Sequence, residues 1–222
     1  MTSFYILSRT RNEIRCPHDG QGSCVQAHPP ELSLSVGREE AFVIQSRLLQ
    51  ASTPRLLLRV VADEDAAVTA ALVTPDVAEN LLTWPAPMSE AQARAKIAKA
   101  KELLARREAV NWAIVRRDDS QLMGWIGFVR ETASCAKVGY WLGAEFRGQG
   151  YLRETALTVI PLAARFLEVS FVWAEVYPRN RPSIALLERV GFERFGSGTV
   201  HSPVTERDEP TLQYRLPIDQ MT

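Results

Sequence analysis

A chain of 222 residues is long enough for one domain and an appendage. Its 46% apolar and 23% charged content is ordinary for a globular protein, and 26 basic residues balance 26 acidic ones. The composition therefore steers the chain neither to nucleic acid nor to an anionic membrane. No apolar run nears the length of a membrane span, and the opening Met1, Thr2, Ser3, Phe4 has too short an apolar core behind it for a signal peptide. Three cysteines without a secretory signal point to reduced thiols in the cytoplasm.

Residues 1–52 mix charge, Gly, Pro and Ser, and read as an N-terminal extension, poorly ordered or partly helical. One helix is expected over 37–50, where Phe42, Val43, Leu48 and Leu49 give a partial apolar stripe. Cys16, His18, Cys24 and His28 supply the four sulfur and nitrogen ligands a tetrahedral zinc takes. Their spacing lacks the paired-ligand hairpin of a zinc knuckle, and Pro17 interrupts the first pair, so no metal is expected.

A domain is expected over 53–218. Residues 56–61 read as a strand. Asp63 can cap a helix to about 73, and Ser89 with Gln92 forms a capping box for a helix to about 107. Strands are expected over 111–116 and 122–130, around the turn Asp118, Asp119, Ser120, and over 136–142. A turn containing Arg147, Gly148 and Gly150 follows, then a helix over 151–168 that Pro161 should kink or split. A strand over 171–177 ends at Pro178, and a short helix stops at Gly191. Strands over 193–199 and 211–216 flank a polar loop.

The segment from Val138 to Leu152 is the most informative. A strand feeding a glycine turn feeding a helix makes an anion pocket, because the first helical N–H groups lack internal partners and the dipole is positive there. Glycines allow positive φ and close approach of backbone to phosphate. The run Arg147-Gly148-Gln149-Gly150-Tyr151 resembles the pyrophosphate loop of the GCN5-related N-acetyltransferase (GNAT) superfamily. Asn180, Ser183, Leu187, Gly191 and Phe192 resemble its second cofactor segment. Thr53 to Arg59, followed by Asp63, Glu64 and Asp65, looks like the opening of the branch that holds the ribosomal-protein alanine N-acetyltransferases. Leu152 stands where the loop pattern has Gly or Ala, and is expected to turn its side chain into the core.

The resemblance implies an α/β (α+β) fold. A mixed, mostly antiparallel sheet of about six to seven strands splays at the cofactor, with helices on both faces. It implies an acetyl-CoA-dependent N-acetyltransferase, a monomer or homodimer, acting on a protein N-terminus or a small amine through a ternary complex. The alternative is a non-catalytic acyl-CoA-binding module. Arg147, Gly148, Gln149, Gly150, Tyr151 and Leu152 would hold the pyrophosphate, although Arg147 could instead pair with Glu145 or Glu154. The N–H near Trp141 or Leu142 would face the thioester, while Tyr140 reads equally as core. Asn180 would touch the pantetheine arm, cap the following helix, or both. The superfamily's tyrosine acid is replaced by Leu187, which leaves Ser183 to protonate the thiolate or merely to bond its own backbone. The base has several candidates. Glu131 lies just past the 122–130 strand, towards the acceptor side, Glu175 lies on the strand before Pro178, and His201, Glu206, Asp208 and Glu209 lie in the last hairpin. Trp84 borders the acceptor cleft or anchors a loop.

Overall fold

The computed structural model describes residues 47–81, 83–202 and 206–220. The proposed helix over 37–50 and the Cys16, His18, Cys24, His28 group lie outside them, save for residues 47–50. In chain order the elements are β1 (Ala51–Ser52), β2 (Leu56–Val60), α1 (Ala66–Leu72), α2 (Pro75–Ala78), α3 (Glu90–Ala105), β3 (Ala109–Arg116), β4 (Leu122–Arg130), β5 (Cys135–Leu142), α4 (Tyr151–Leu167), β6 (Phe171–Val176), α5 (Arg181–Val190), β7 (Glu193–Ser202) and β8 (Arg207–Pro217). They form one eight-stranded sheet in the order β1-β2-β3-β4-β5-β6-β8-β7. The strand beyond the expected seven is β1, whose two residues are too few to show alternation.

All neighbours run antiparallel except β5 and β6. Parallel strands need a long crossover, and α4 supplies it. Two apolar layers flank the sheet. Val73, Ala93, Ile97 and Ala100 of the α1–α3 side pack with Ala113, Val115, Trp125 and Trp141. On the other face Ala156, Ile160, Ala163, Leu167, Ile184 and Leu187 of α4 and α5 pack with Trp112, Ile114, Ile126, Val138 and Leu142. Each Val, Leu or Ile among them contributes about 1.5–3 kcal/mol by leaving water, and each Ala less.

Local chemistry sets the element ends. The Ser89 and Gln92 capping box forms as expected, with Ser89 N–H donating to Gln92 Oε1 at 2.8 Å and Gln92 N–H to Ser89 Oγ at 3.2 Å. The helix expected from Asp63 forms, its first turn, Asp63–Asp65, being 3-10 and running directly into α1, but Asp63 is not the cap: the buried Asp65 carboxylate accepts from the Ala62 N–H at 2.8 Å and from Arg59 at 2.6 and 2.8 Å. Nor does Pro161 split α4, which runs unbroken to Leu167. Pro161 lies on the exposed side, where water can take the freed carbonyl. In β4, Ile114 pairs with Gly124 but Val115 with Leu122, so Met123 is an extra, bulged residue. It sends Met123 into one apolar layer while Leu122 and Trp125 serve the other.

Candidate active site

The parallel ladder between β5 and β6 runs from Cys135 opposite Phe171 to Val138 opposite Ala174, and then stops. β5 continues to Leu142 and β6 to Val176, so the two strands part. Along β5 the opposite edge stays paired with β4 up to Leu142 opposite Gly124. Gly143 N–H donates to Met123 O at 2.9 Å. Antiparallel hydrogen-bonded positions alternate, so Trp141 and Gly139 face β4, and Tyr140 and Leu142 turn their N–H and C=O into the gap. Of the two amides proposed from sequence, Leu142 therefore borders the gap and Trp141 does not.

The chain leaving β5 turns through Gly148 at φ 75° and Gly150 at φ 78° before α4 begins. Both values fall in the left-handed region, where a side chain is strained. Nothing lies within 4 Å of the Cβ that Gly148 lacks. The amides of Tyr151, Leu152 and Arg153 open α4 without intrahelical partners. Tyr151 is buried and Leu152 packs half-buried against the core, so these two contribute backbone to the loop's outer face. Arg147 pairs with neither Glu145 nor Glu154. Its Nε donates to Leu142 O at 3.3 Å and its Nη1 meets Asp76 at 3.4 Å. Glu154 is taken by Arg55 at 2.7 Å and by the Thr53 hydroxyl. Arg55 also donates to Gln149 O at 3.0 Å and lies 4.5 Å from the Tyr151 ring centre, which ties the loop to the start of β2.

Asn180 caps α5, its Oδ1 accepting from Ser183 N–H at 3.2 Å. Ser183 is not spent on its own backbone. Its Oγ lies 2.7 Å from the Tyr140 hydroxyl, reached across the gap from β5. Burial pushes the Tyr140 pKa well above its ordinary value, so the phenol stays protonated. Leu187 is core. The sequence reading had weighed Tyr140 as packing; its spacing from Ser183, 43 residues away, hid the pair.

On the opposite face of the strands, Glu131 accepts from Trp173 Nε1 at 2.6 Å. Desolvation there pushes the Glu131 pKa up, with Lys137 and the Trp173 N–H opposing it. Glu175 is fully engaged, by Lys137 Nζ at 2.7 Å and the Thr211 hydroxyl at 2.7 Å. Lys137, Trp173 and Thr211 were not singled out from sequence; a lysine at an apolar strand position was the available signal. His201 pairs with Asp208 at 3.0 Å, both exposed. Val176, the last residue of β6, pairs with Leu212, so Asp208 lies four residues, about 13 Å, past the end of β6. Glu206 is exposed at the hairpin turn, and Glu209 binds Arg179 at 2.6 Å. Arg179 also donates to Glu79 O at 3.3 Å, so the β6–α5 turn, β8 and the segment after α2 meet. Trp84 packs edge-on against Trp125 and Trp141, both at 5.3 Å. Lys96 lies 4.6 Å from the Trp84 ring centre, and desolvation lowers its pKa to about 8. No cluster of three or more metal-ligating side chains occurs among the described residues.

A parted parallel pair thus lies beside a left-handed glycine loop at a helix N-terminus. The open loop suits a pyrophosphate, and the free edge of β5 suits the amides of a pantetheine arm. The family model described as an acetyltransferase (GNAT) domain matches residues 55–193, and the chain belongs to that family. It is 30% identical over 146 residues to the uncharacterized N-acetyltransferase YoaA of Bacillus subtilis, covering 65% of this chain and 82% of that one. It is 27% identical over 156 residues to the [ribosomal protein uS5]-alanine N-acetyltransferase of Escherichia coli, covering 65% and 78%. The crystal structure of ribosomal-protein-S5-alanine acetyltransferase from Vibrio fischeri shares the fold, with TM-score 0.65 at 18% identity over 78% of this chain and 98% of that one. So does the microcin C7 self-immunity acetyltransferase MccE in complex with acetyl-CoA and AMP, with TM-score 0.67 at 17% identity over 74% and 93%. The protein is an acetyl-CoA-dependent acyltransferase of that family.

Proposed function

We propose that the protein moves the acetyl group of acetyl-CoA directly to a primary amine, with both substrates bound together. The observation that carries this is the free edge of β5 past Val138, next to the glycine loop. Acetyl-CoA supplies the activated acyl group as a thioester. The amides from Gly148 to Leu152 hold its pyrophosphate, and Arg147 and Gln149 flank it. The Tyr140 and Leu142 backbone groups bind the pantetheine arm, with the Leu142 N–H towards the thioester oxygen, and Asn180 borders the arm. Ser183 Oγ–H donates its proton to the leaving thiolate and regains one as the attacking amine gives up its own, with its oxygen held by the Tyr140 hydroxyl.

The acceptor nitrogen must be neutral to attack. An α-amine, with a pKa of about 7.7–8.0, is deprotonated far more readily than a lysine-like amine at about 10.4. A protein N-terminus or a small amine of that kind fits best, and the likeness to the uS5-alanine enzyme supports it. Glu131 is the base best placed, because it reaches Trp173 beside the parting of the strands. His201 is the second candidate, acting from the hairpin through water. Cys135 is buried at the far end of β5 from the glycine loop, which supports direct transfer over a cysteine-bound acyl enzyme. Isotope-labelled acetyl-CoA added with the protein to cell extract should yield an acetylated amine detectable by mass spectrometry. A protein that binds acetyl-CoA but labels nothing, in extract or in a panel of amines, would refute transfer.

A further inference from the structure

The lysines of the chain are Lys96, Lys99, Lys101 and Lys137. Carboxylates hold three of them: Glu102 meets Lys99 at 2.9 Å, Asp63 meets Lys101 at 2.6 Å and Glu175 meets Lys137 at 2.7 Å. A carboxylate partner favours the charged ammonium, which has no lone pair to react with. Lys96 is placed against an aromatic ring. Its Nζ lies 4.6 Å from the Trp84 ring centre, half-buried, and desolvation brings its pKa down to about 8. At about pH 7.5 the neutral share of such a lysine is roughly two-hundredfold that of one with the ordinary pKa of about 10.4.

Position sets Lys96 apart as well. Trp84 belongs to the apolar layer that also holds Trp141 of β5. With 4.6 Å from Lys96 Nζ to the Trp84 ring centre and 5.3 Å from there to the Trp141 ring centre, the lysine nitrogen lies no more than about 10 Å from the Trp141 indole. Leu142, whose N–H is proposed to face the thioester, is the next residue. Trp141 and Gly139 share one face of β5. Nothing lies within 4 Å of the Cβ position of Gly139, the first β5 residue past the last pair with β6, so this face is open where the strands part. The Tyr140 and Ser183 hydroxyls meet on the other side of the sheet, the side of α4 and α5. An amine therefore meets the thioester from the side on which Lys96 stands.

We infer that Lys96 is a modification site, acetylated on Nζ by the acetyl-CoA bound to the same molecule. The flexible four-carbon stem lets the nitrogen leave the Trp84 ring and reach over Gly139. The lone pair of the neutral Nζ attacks the thioester carbonyl carbon. The C–S bond breaks, the thiolate takes a proton from Ser183, and the nitrogen gives up one proton, which restores the serine's. An acetamide and free CoA result. The amide is stable, so it is a lasting mark on the chain and not a step towards an external amine. It removes the charge stacked on Trp84 and with it the cation–π contact. This inference rests on the transfer reading above and adds a target within the chain itself.

The test incubates the full-length protein with isotope-labelled acetyl-CoA and no acceptor, and maps its peptides by mass spectrometry. Label should build up on Lys96 at least about tenfold faster than on Lys99, Lys101 or Lys137. The rate per molecule should not change when the protein is diluted, and excess CoA should suppress it. Label spread evenly over the lysines, or a Lys96 rate indifferent to CoA, means acetylation from solution and overturns the inference. A rate that falls on dilution assigns the reaction to a second copy and overturns it too. The wild-type chain gives the answer, so no variant has to fold. A panel of external amines run in parallel separates the two readings. Acetylated amine beside unlabelled Lys96 leaves transfer and removes the self-modification; labelled Lys96 beside untouched amines does the reverse.

Discussion

In the proposed transfer, Tyr140 and Ser183 divide the work of one contact between two residues. A buried phenol with a raised pKa is a poor acid but a steady donor. The proposed transfer needs it to donate to Ser183 Oγ, which leaves the serine's own proton free to point at sulfur. Ser183→Ala should therefore lower kcat by about 100-fold with acetyl-CoA affinity nearly unchanged. Tyr140→Phe keeps the packing and removes only the orientation, so its loss should be smaller, about tenfold. Steady-state kinetics with calorimetric affinities would check both, and an unchanged kcat in Ser183→Ala would reduce Ser183 to a helix-start residue. Glu131 makes a pH prediction. A base works only when deprotonated, and desolvation raises the pKa of this one. Activity should thus fall as pH drops through a value above the ordinary glutamate range, and Glu131→Gln should lower kcat and flatten that acid limb. An acid limb that survives in Glu131→Gln and vanishes in His201→Asn would transfer the role to the hairpin.

At the scale of elements, the glycine loop proposed to hold phosphate is braced from behind by the residues leading into β2, almost a hundred residues earlier. Arg55 ties Gln149 O, Glu154 and the Tyr151 ring together, and Thr53 adds a second bond to Glu154. A loop with two left-handed glycines gains from such a brace, because glycine is costly to order. Arg55→Ala should weaken acetyl-CoA binding about three- to tenfold by calorimetry while the far-ultraviolet circular dichroism stays the same; unaltered affinity would make the brace decorative. The elements whose ends carry local chemistry were legible in the sequence. Ser89 with Gln92, Asn180 with Gly191, and the glycines around Gln149 each announce themselves within a few residues. What local pattern could not show depended on distant partners. Asp65 takes the capping role from Asp63 because it also reaches Arg59, the one-turn α2 has no room for periodicity, and β7 and β8 extend past their apolar cores because each pairs with the other as far as Ser202 and Arg207. The same held for the site. The loop was readable, whereas the pairing of Tyr140 with Ser183 needed the fold that brings α5 beside β5.

At the scale of the whole molecule, the question is where the folded unit begins. The family pattern starts near residue 55, and Thr53 was the boundary drawn from sequence. The sheet, however, takes in residues before it. Ala51 and Ser52 pair with Leu58 and Leu57, Leu49 is 4% exposed within the main apolar layer, and its carbonyl accepts from the buried Trp112 Nε1 at 2.7 Å. Removing Leu49 would empty a core position, at about 2–5 kcal/mol, and orphan an indole N–H, at about 1–3 kcal/mol. A chain beginning at residue 53 should accordingly melt about 10 °C below one beginning at residue 47. Both should still bind acetyl-CoA at low temperature, since the gap and the glycine loop lie elsewhere in the sheet. Differential scanning calorimetry of the two truncations decides it: equal melting temperatures would restore the boundary at Thr53, and a loss of cofactor binding in the shorter chain alone would make the first strand part of the site's support rather than a cover on the core.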